Sequence, residues 1–214
     1  MTFKRVLDPM ERISEVMFGL IMALTFTCTL GVATADSIKV QSMLFGALGC
    51  NLAWGIIDAG VYLLARLNAE GRKILMLRAV RSAPDLEAAQ RIVSNALPPL
   101  LAALILPAQL EAIRQELHRR PEPAEHPTLS KRDLTGALAI CLLSFLSTFP
   151  IVIPFIFVGD ARLALRVSNA VAIAMLFICG YLFGIRSGLR PWATGLSMVA
   201  IGVALVGVAI ALGG

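Results

Sequence analysis

The chain has 214 residues, of which 57% are hydrophobic and only 15% are charged. An ordinary soluble domain is about 45–50% apolar and about 25% charged, so this composition excludes a typical soluble protein and indicates one that crosses a membrane several times. The net charge of +5 does not indicate nucleic-acid binding, because the basic residues follow the pattern of a membrane topology.

The first two apolar runs predict two membrane spans. The first run covers about 14–35 and is longer than the apolar region of a signal peptide, and acidic residues stand where a basic leader would be expected. A short loop at 36–41 leads to a second span at about 42–66. Residues 1–66 are therefore predicted to form an N-terminal segment and transmembrane helices 1 and 2.

The long polar section at 67–132 is predicted to be a small helical insert. Within it, the apolar stretch at 97–110 is interrupted by three prolines, so it is too short to span a bilayer and is predicted to be a surface or interfacial segment. Helix starts are predicted at Asp85 and at Pro107, because proline and acidic residues are typical of a first helical turn. Residues 121–127 are rich in proline and predict an extended linker.

Residues 133–214 are predicted to form transmembrane helices 3 to 5. Three apolar runs of spanning length lie there, at about 134–158, 163–185 and 192–212. Pro150 and Pro154 predict a kink or a break in the first of them, which would free backbone carbonyls. A broken helix of this kind lines a cavity, or it is a passive kink repaired by neighbouring Ser and Thr hydroxyls.

The basic residues predict which side of the membrane each segment occupies. With five spans and a cytoplasmic N-terminus, sixteen Lys and Arg residues lie in cytoplasmic segments and three lie outside. This bias follows the positive-inside rule. The expected fold is therefore an all-α polytopic membrane protein with five transmembrane helices, a cytoplasmic insert between helices 2 and 3, and an external C-terminus.

Polar side chains within the first two spans are the candidates for function. Asn51, Trp54 and Asp58 share one helix face, because they are spaced i, i+3 and i+7. A charged residue at such depth is costly and indicates a functional site by default. Carboxylate and thioether donors suit a divalent metal, so Glu15, Met22, Asn51 and Asp58 form a candidate transport path, with Glu15 and Asp58 as metal ligands. The alternative is a cluster of interhelical hydrogen bonds.

The sequence contains no P-loop, nucleophile-elbow or dinucleotide-binding pattern. We therefore expect neither an enzyme nor a bound cofactor, apart from a transported divalent metal ion.

Several short motifs of this chain resemble the vacuolar iron transporter family. They are Ser14–Met22 in the first span, Asn51–Asp58 in the second, Phe149–Phe155 in the third and Gly180–Gly184 in the fourth. The family's first span usually reads Asp-Gly-Leu and its second Ser-Met-x-x-Gly-Glu-Tyr, whereas this chain has Phe18-Gly19-Leu20 and Asn51–Ile57 at these places. It is similar to a bacterial branch of the family that lacks the usual intramembrane metal-ligand motifs.

The resemblance implies a transporter that exports Fe²⁺ or Mn²⁺ from the cytosol by proton antiport. It also implies a homodimer in the bacterial inner membrane, with the path between the first spans of the two subunits. Glu87, Glu111 and Glu116 of the insert would gather metal, so the expected partners are lipid, a second copy and a divalent ion, but no nucleic acid. Because the usual ligands are replaced, the alternative is a non-transporting membrane scaffold or sensor that uses the insert as an interaction surface.

Overall fold

A computed structural model describes Leu7 and residues 9–33 and 37–211. These residues form α-helices and no strand, which confirms the predicted all-α class. The helices in chain order are α1 Pro9–Ala33, α2 Ser37–Arg81, α3 Leu86–Asn95, α4 Pro99–Leu104, α5 Pro107–Arg119, α6 Lys131–Leu146, α7 Phe149–Phe157, α8 Ala161–Ser187 and α9 Pro191–Ala211.

Several described helices have the length and composition of membrane spans. They are Leu44–Arg81, Lys131–Phe157 and Leu163–Ser187, together with the shorter apolar helix Pro191–Leu205. Such segments need lipid around them, because their apolar surface is costly to expose to water. They indicate a multi-pass membrane protein, as the composition predicts.

Helix α2 starts earlier and ends later than the sequence predicted. The predicted loop at 36–41 is wrong from Ser37 onward, because no proline or glycine interrupts the chain there and the helix extends through it. At its other end α2 continues to Arg81 through residues of high helix propensity, and the ion pair between Lys73 and Glu70 supports this part. With 45 residues, α2 is about 68 Å long, which is more than the thickness of a bilayer core.

The chain divides into two compact units, one formed by Met1–Val61 with Arg132–Gly214 and the other by Tyr62–Lys131. In the first unit, α1, α7, α8 and α9 pack together. Its core contains buried aliphatic side chains, namely Leu20, Ala23, Leu24, Ile151, Ala172 and Leu176.

Small residues set the contact between α8 and α9. A Cβ added at Gly180 would lie 2.9 Å from the carbonyl oxygen of Thr194, and one at Gly184 would lie 2.8 Å from the Cα of Pro191. The backbones therefore approach more closely than larger residues allow, as the GxxxG spacing predicts.

The third predicted span consists of two helices, α6 and α7, which are separated at Ser147 and Thr148. Pro150 is the second residue of α7, where a missing N–H costs α7 nothing. The same proline cannot donate to the carbonyl of Leu146, so α6 cannot continue through it. Pro154 lies inside α7.

The second unit contains the helix starts predicted from its prolines and acids. Asp85 caps α3, since its carboxylate accepts a hydrogen bond of 2.7 Å from the backbone N–H of Ala88. Helix α5 begins at Pro107 as predicted. The apolar stretch between these helices forms only the six-residue helix α4, with Leu100 and Leu104 exposed.

Two arginines near the end of α2 hold the segment that follows α5. Arg78 donates from Nη2 to the carbonyls of Ala124 and Glu125, both at 2.9 Å. Arg81 donates from Nη2 to the carbonyls of Pro121 at 3.1 Å and of Arg120. A guanidinium with several donors thus satisfies carbonyl oxygens that have no helical partner.

We expect Arg81→Ala to loosen residues 117–125 without unfolding the chain. Losing hydrogen bonds from a charged donor should accelerate amide exchange in this segment about ten-fold, measured by hydrogen–deuterium exchange. Lys73→Ala is the control, because it removes only an exposed ion pair on the same helix. Equal exchange in the two variants would show that Arg81 does not hold the segment.

Candidate functional site

A cavity of about 410 Å³ lies within the first unit. It is lined by residues of α1, α2 and α6, namely Phe18, Met22, Trp54, Asp58 and Ser144. Tertiary packing therefore brings the predicted candidates Met22 and Asp58 to the same cavity from two different helices. The wall is largely apolar, but it offers a carboxylate, a thioether and a hydroxyl as possible ligands.

Glu15 lies on α1, one turn before the cavity-lining Phe18. It is half-buried, and its Oε2 has no hydrogen-bond partner among the described residues. Its carboxylate interacts electrostatically with that of Asp58. Two neighbouring carboxylates in surroundings of low polarity repel each other, and a cation or a proton between them relieves this repulsion.

The described residues contain no group of three or more His, Cys, Asp or Glu side chains placed to hold a metal. Within them, a metal ion bound at Glu15 and Asp58 would need further donors from Met22, Ser144, the backbone or water.

Asn51 connects three helical segments next to this cavity. Its side chain is 1% exposed, and its Nδ2 donates to the carbonyl of Gly19 on α1 at 3.2 Å and to the hydroxyl of Thr148 at the α6–α7 break. Asn51 does not itself line the cavity, although Trp54 and Asp58 on the same face of α2 do. In the structure it is a junction between helices.

Two glycines let α6 come close to α1 and α2. A Cβ added at Gly19 would lie 2.7 Å from the carbonyl oxygen of Ser144, and one at Gly55 would lie 2.8 Å from the carbonyl oxygen of Cys141. Sequence reasoning did not find these contacts, nor the pairing of Thr148 with Asn51. In the sequence, the hydroxyl residues just before Pro150 were the feature that could have indicated this pairing.

The three glutamates of the insert differ in whether a neighbouring arginine already binds their carboxylates. Glu87 is exposed in the first turn of α3, and Glu116 is exposed and 3.9 Å from Arg120. Glu111 binds Arg114 through both carboxylate oxygens, at 2.7 and 2.8 Å. A metal ion at Glu111 would have to displace a bidentate guanidinium.

The ion pair of Glu111 predicts a pH dependence of the insert. Hydrogen bonds from Arg114, and next from Gln115, lower the pKa of Glu111 from 4.5 to about 2. Because the pKa is lower in the folded state, the stabilisation is complete above about pH 4.5 and is lost as the pH falls towards 2. We expect one side-chain carboxyl carbon resonance to titrate with a midpoint near pH 2. This resonance should be absent from the Glu111→Gln variant, and its titration midpoint should rise in the Arg114→Gln variant. A midpoint at or above 4.5 for the resonance missing in Glu111→Gln would contradict this expectation.

The comparisons with known proteins agree with this architecture. A family model described as the VIT family matches residues 22–214, which include Met22, Asp58 and Ser144, the rest of the cavity wall on α2 and the whole insert. No curated protein matches the chain. Because the family model covers most of the chain, this protein belongs to the VIT family, whose members are in general membrane transporters of metal ions.

Proposed function

We propose that this protein exports a divalent transition-metal cation, Fe²⁺ or Mn²⁺, from the cytosol in exchange for protons. The observation that carries the proposal is the cavity between α1, α2 and α6, to which Met22 and Asp58 contribute a thioether and a carboxylate. Glu15 adds a second carboxylate within electrostatic reach of Asp58. Membership of the VIT family supports transport of a metal ion by this site.

The ligand types favour a transition metal over Mg²⁺ or Ca²⁺. Hard ions prefer shells made only of oxygen, whereas a thioether adds little to their binding. Met22 therefore favours a softer divalent cation. The negative charge of Asp58 compensates for the water that this cation loses when it binds.

Proton exchange follows from the chemistry of the carboxylates. A carboxylate that binds a metal must first lose its proton, and it takes up a proton again more readily once the metal has left. Glu15 and Asp58 would thus carry either metal or protons, and the two fluxes would run in opposite directions.

We propose that the working unit is a homodimer in the bacterial inner membrane, with five spans, a cytoplasmic N-terminus and an external C-terminus. Phe18 lines the cavity although it is 62% exposed, so a second copy packed at α1 would cover it. The bias of Lys and Arg residues supports the orientation. In the insert, Glu87 is exposed and Glu116 has only a long, exposed contact of 3.9 Å with Arg120, whereas Glu111 is bound by Arg114 through both oxygens, so the first two are the better candidates for metal loading.

A flux experiment tests the proposal. The protein is reconstituted into proteoliposomes with an imposed pH gradient, and uptake of Fe²⁺, Mn²⁺, Co²⁺, Zn²⁺ and Mg²⁺ is measured together with the internal pH. We expect uptake of Fe²⁺ or Mn²⁺ that dissipates the gradient, with little uptake of Mg²⁺, and no uptake in protein-free liposomes. No flux for any ion would reject transport and favour the scaffold or sensor function.

A further inference from the structure

The cavity between α1, α2 and α6 is larger than a metal ion needs. Protein ligands hold a divalent metal at about 2.0–2.6 Å, so the ion and its ligand atoms fill only a small part of the 410 Å³. Pockets for small organic molecules begin at about 300 Å³. The volume therefore admits an organic ligand.

The described wall of this cavity is chiefly aromatic and apolar. Phe18 and Met22 line it from α1, and Trp54 lines it from α2 one turn before the carboxylate of Asp58. The remaining polar groups of the described wall, the Ser144 hydroxyl and the indole N–H of Trp54, are uncharged. None of these described lining residues is basic, and no described Lys or Arg forms an ion pair with Asp58. The wall thus presents a carboxylate without a cationic partner.

These side chains favour a cation that carries apolar groups of its own. Aromatic rings attract cations to their faces, and they are used in this way to recognise quaternary ammonium ligands. The flexible and polarizable side chain of Met22 adapts to ligands of irregular shape. Alkyl or aryl groups of the ligand leave water when they lie against Phe18 and Trp54, which further stabilises the complex.

A divalent metal ion makes greater demands on the same wall. It has a compact double charge, so several ligand atoms must replace the water that it loses. The described residues contain no group of three or more His, Cys, Asp or Glu side chains for this purpose. A quaternary ammonium ion spreads a single charge over a larger volume, so its dehydration costs less and one carboxylate is a sufficient partner.

We propose that this cavity binds a monovalent organic cation with alkyl or aryl substituents, such as a quaternary ammonium ion. Its charge lies beside Asp58, and its apolar groups lie against Phe18, Met22 and Trp54. The inference goes beyond the proposed metal export and does not depend on it, because it concerns binding to the protein without any metal flux.

The fluorescence of Trp54 provides a direct test. The chain has two tryptophans, and the other one, Trp192, contacts Phe177 and Tyr181 and does not line the cavity. The whole protein carrying Trp192→Phe is titrated in a maltoside detergent with phenyltrimethylammonium chloride, without metal. We expect a saturable change in emission, because the ligand alters the surroundings of the indole. No saturable change up to about 10 mM, where even a weak complex forms, would overturn the proposal.

A neutral compound of the same shape separates charge recognition from apolar binding. In tert-butylbenzene a carbon atom replaces the nitrogen of phenyltrimethylammonium, so only the charge is lost. Asp58→Asn should weaken binding of the ammonium ion about ten-fold or more and leave binding of tert-butylbenzene unchanged. An equal loss of affinity for both compounds would overturn the proposal, since Asp58 would then matter only for the shape of the cavity.

Two further variants complete the test in the same Trp192→Phe background. Glu70→Gln removes a carboxylate from α2 that is paired on the surface with Lys73, and it should bind the ammonium ion like the parent. Equal affinity in Asp58→Asn and Glu70→Gln would overturn the proposal. Phe18→Leu keeps Asp58 and an apolar wall but removes a ring, and it should weaken ammonium binding about three-fold. Unchanged binding in Phe18→Leu would overturn the aromatic contribution.

The outcome is separate from that of the flux experiment. Charge-dependent ammonium binding in a protein that moves no metal would reject the proposed export and support this inference. Metal uptake by a protein that does not bind the ammonium ion would do the reverse.

Discussion

Replacing Asp58 by asparagine is expected to reduce the initial rate of proton-driven metal uptake about ten-fold or more. Among the described residues that line the cavity, Asp58 is the only acidic one. Asparagine retains the shape but neither the negative charge nor the exchangeable proton, so both metal binding and proton exchange should suffer. Changes outside the first ligand shell already cost about 10–100-fold in metal sites, and loss of a direct ligand should cost at least as much.

Two further variants show whether the charge itself is needed. Asp58→Glu keeps a carboxylate and should retain part of the uptake. Glu70→Gln removes a carboxylate from the same helix, where it is paired on the surface with Lys73 at 2.8 Å, and should leave uptake unchanged. Wild-type uptake in Asp58→Asn would preserve transport but remove Asp58 from the site.

Replacing Gly55 by alanine is expected to lower the free energy of unfolding by about 1–3 kcal/mol. The added Cβ would lie 2.8 Å from the carbonyl oxygen and 3.2 Å from the Cα of Cys141. These are backbone atoms of α6, which cannot rotate away as the end of a side chain can. Helices α2 and α6 must therefore separate, and the cavity between them changes shape.

The same helix provides two matched controls. A Cβ at Gly49 or at Gly60 would meet no described atom within 4 Å. Because alanine is a better helix former than glycine, Gly49→Ala and Gly60→Ala should stabilise the protein by about 0.5–1 kcal/mol. Unfolding by a denaturing detergent, followed by circular dichroism, measures all three variants. A Gly55→Ala variant as stable as the controls would show that the α2–α6 contact is looser than described.

Local patterns predicted the helices of this protein well. Pro107 indicated the start of α5 and Asp85 that of α3, because capping depends on residues adjacent in sequence, and Pro150 indicated the break in the third span but not that a new helix starts there. The ends of α2 were predicted poorly, because the change from apolar to polar residues was taken as the end of the helix although no proline or glycine interrupts the chain there. There, continuous helix propensity prevailed over the expected loop.

The candidate site was predictable only in part. Asp58 and Met22 were recognisable as polar or soft groups within apolar runs, which a single helix reveals. That Glu111 is occupied by Arg114 could also be suspected from their spacing of three residues. That Ser144 completes the cavity wall was not predictable, because it depends on how the broken third span packs against the first two.

The sequence by itself determined that this is a helical membrane protein of the VIT family, with a polar insert and a carboxylate in its second span. These properties follow from composition, hydrophobic run length and local motifs. Only the tertiary structure decided that Met22, Asp58 and Ser144 share one cavity and that Asn51 is a junction between helices. Such contacts join residues that lie up to more than a hundred positions apart, so they depend on close approach at Gly19 and Gly55 and not on any local preference.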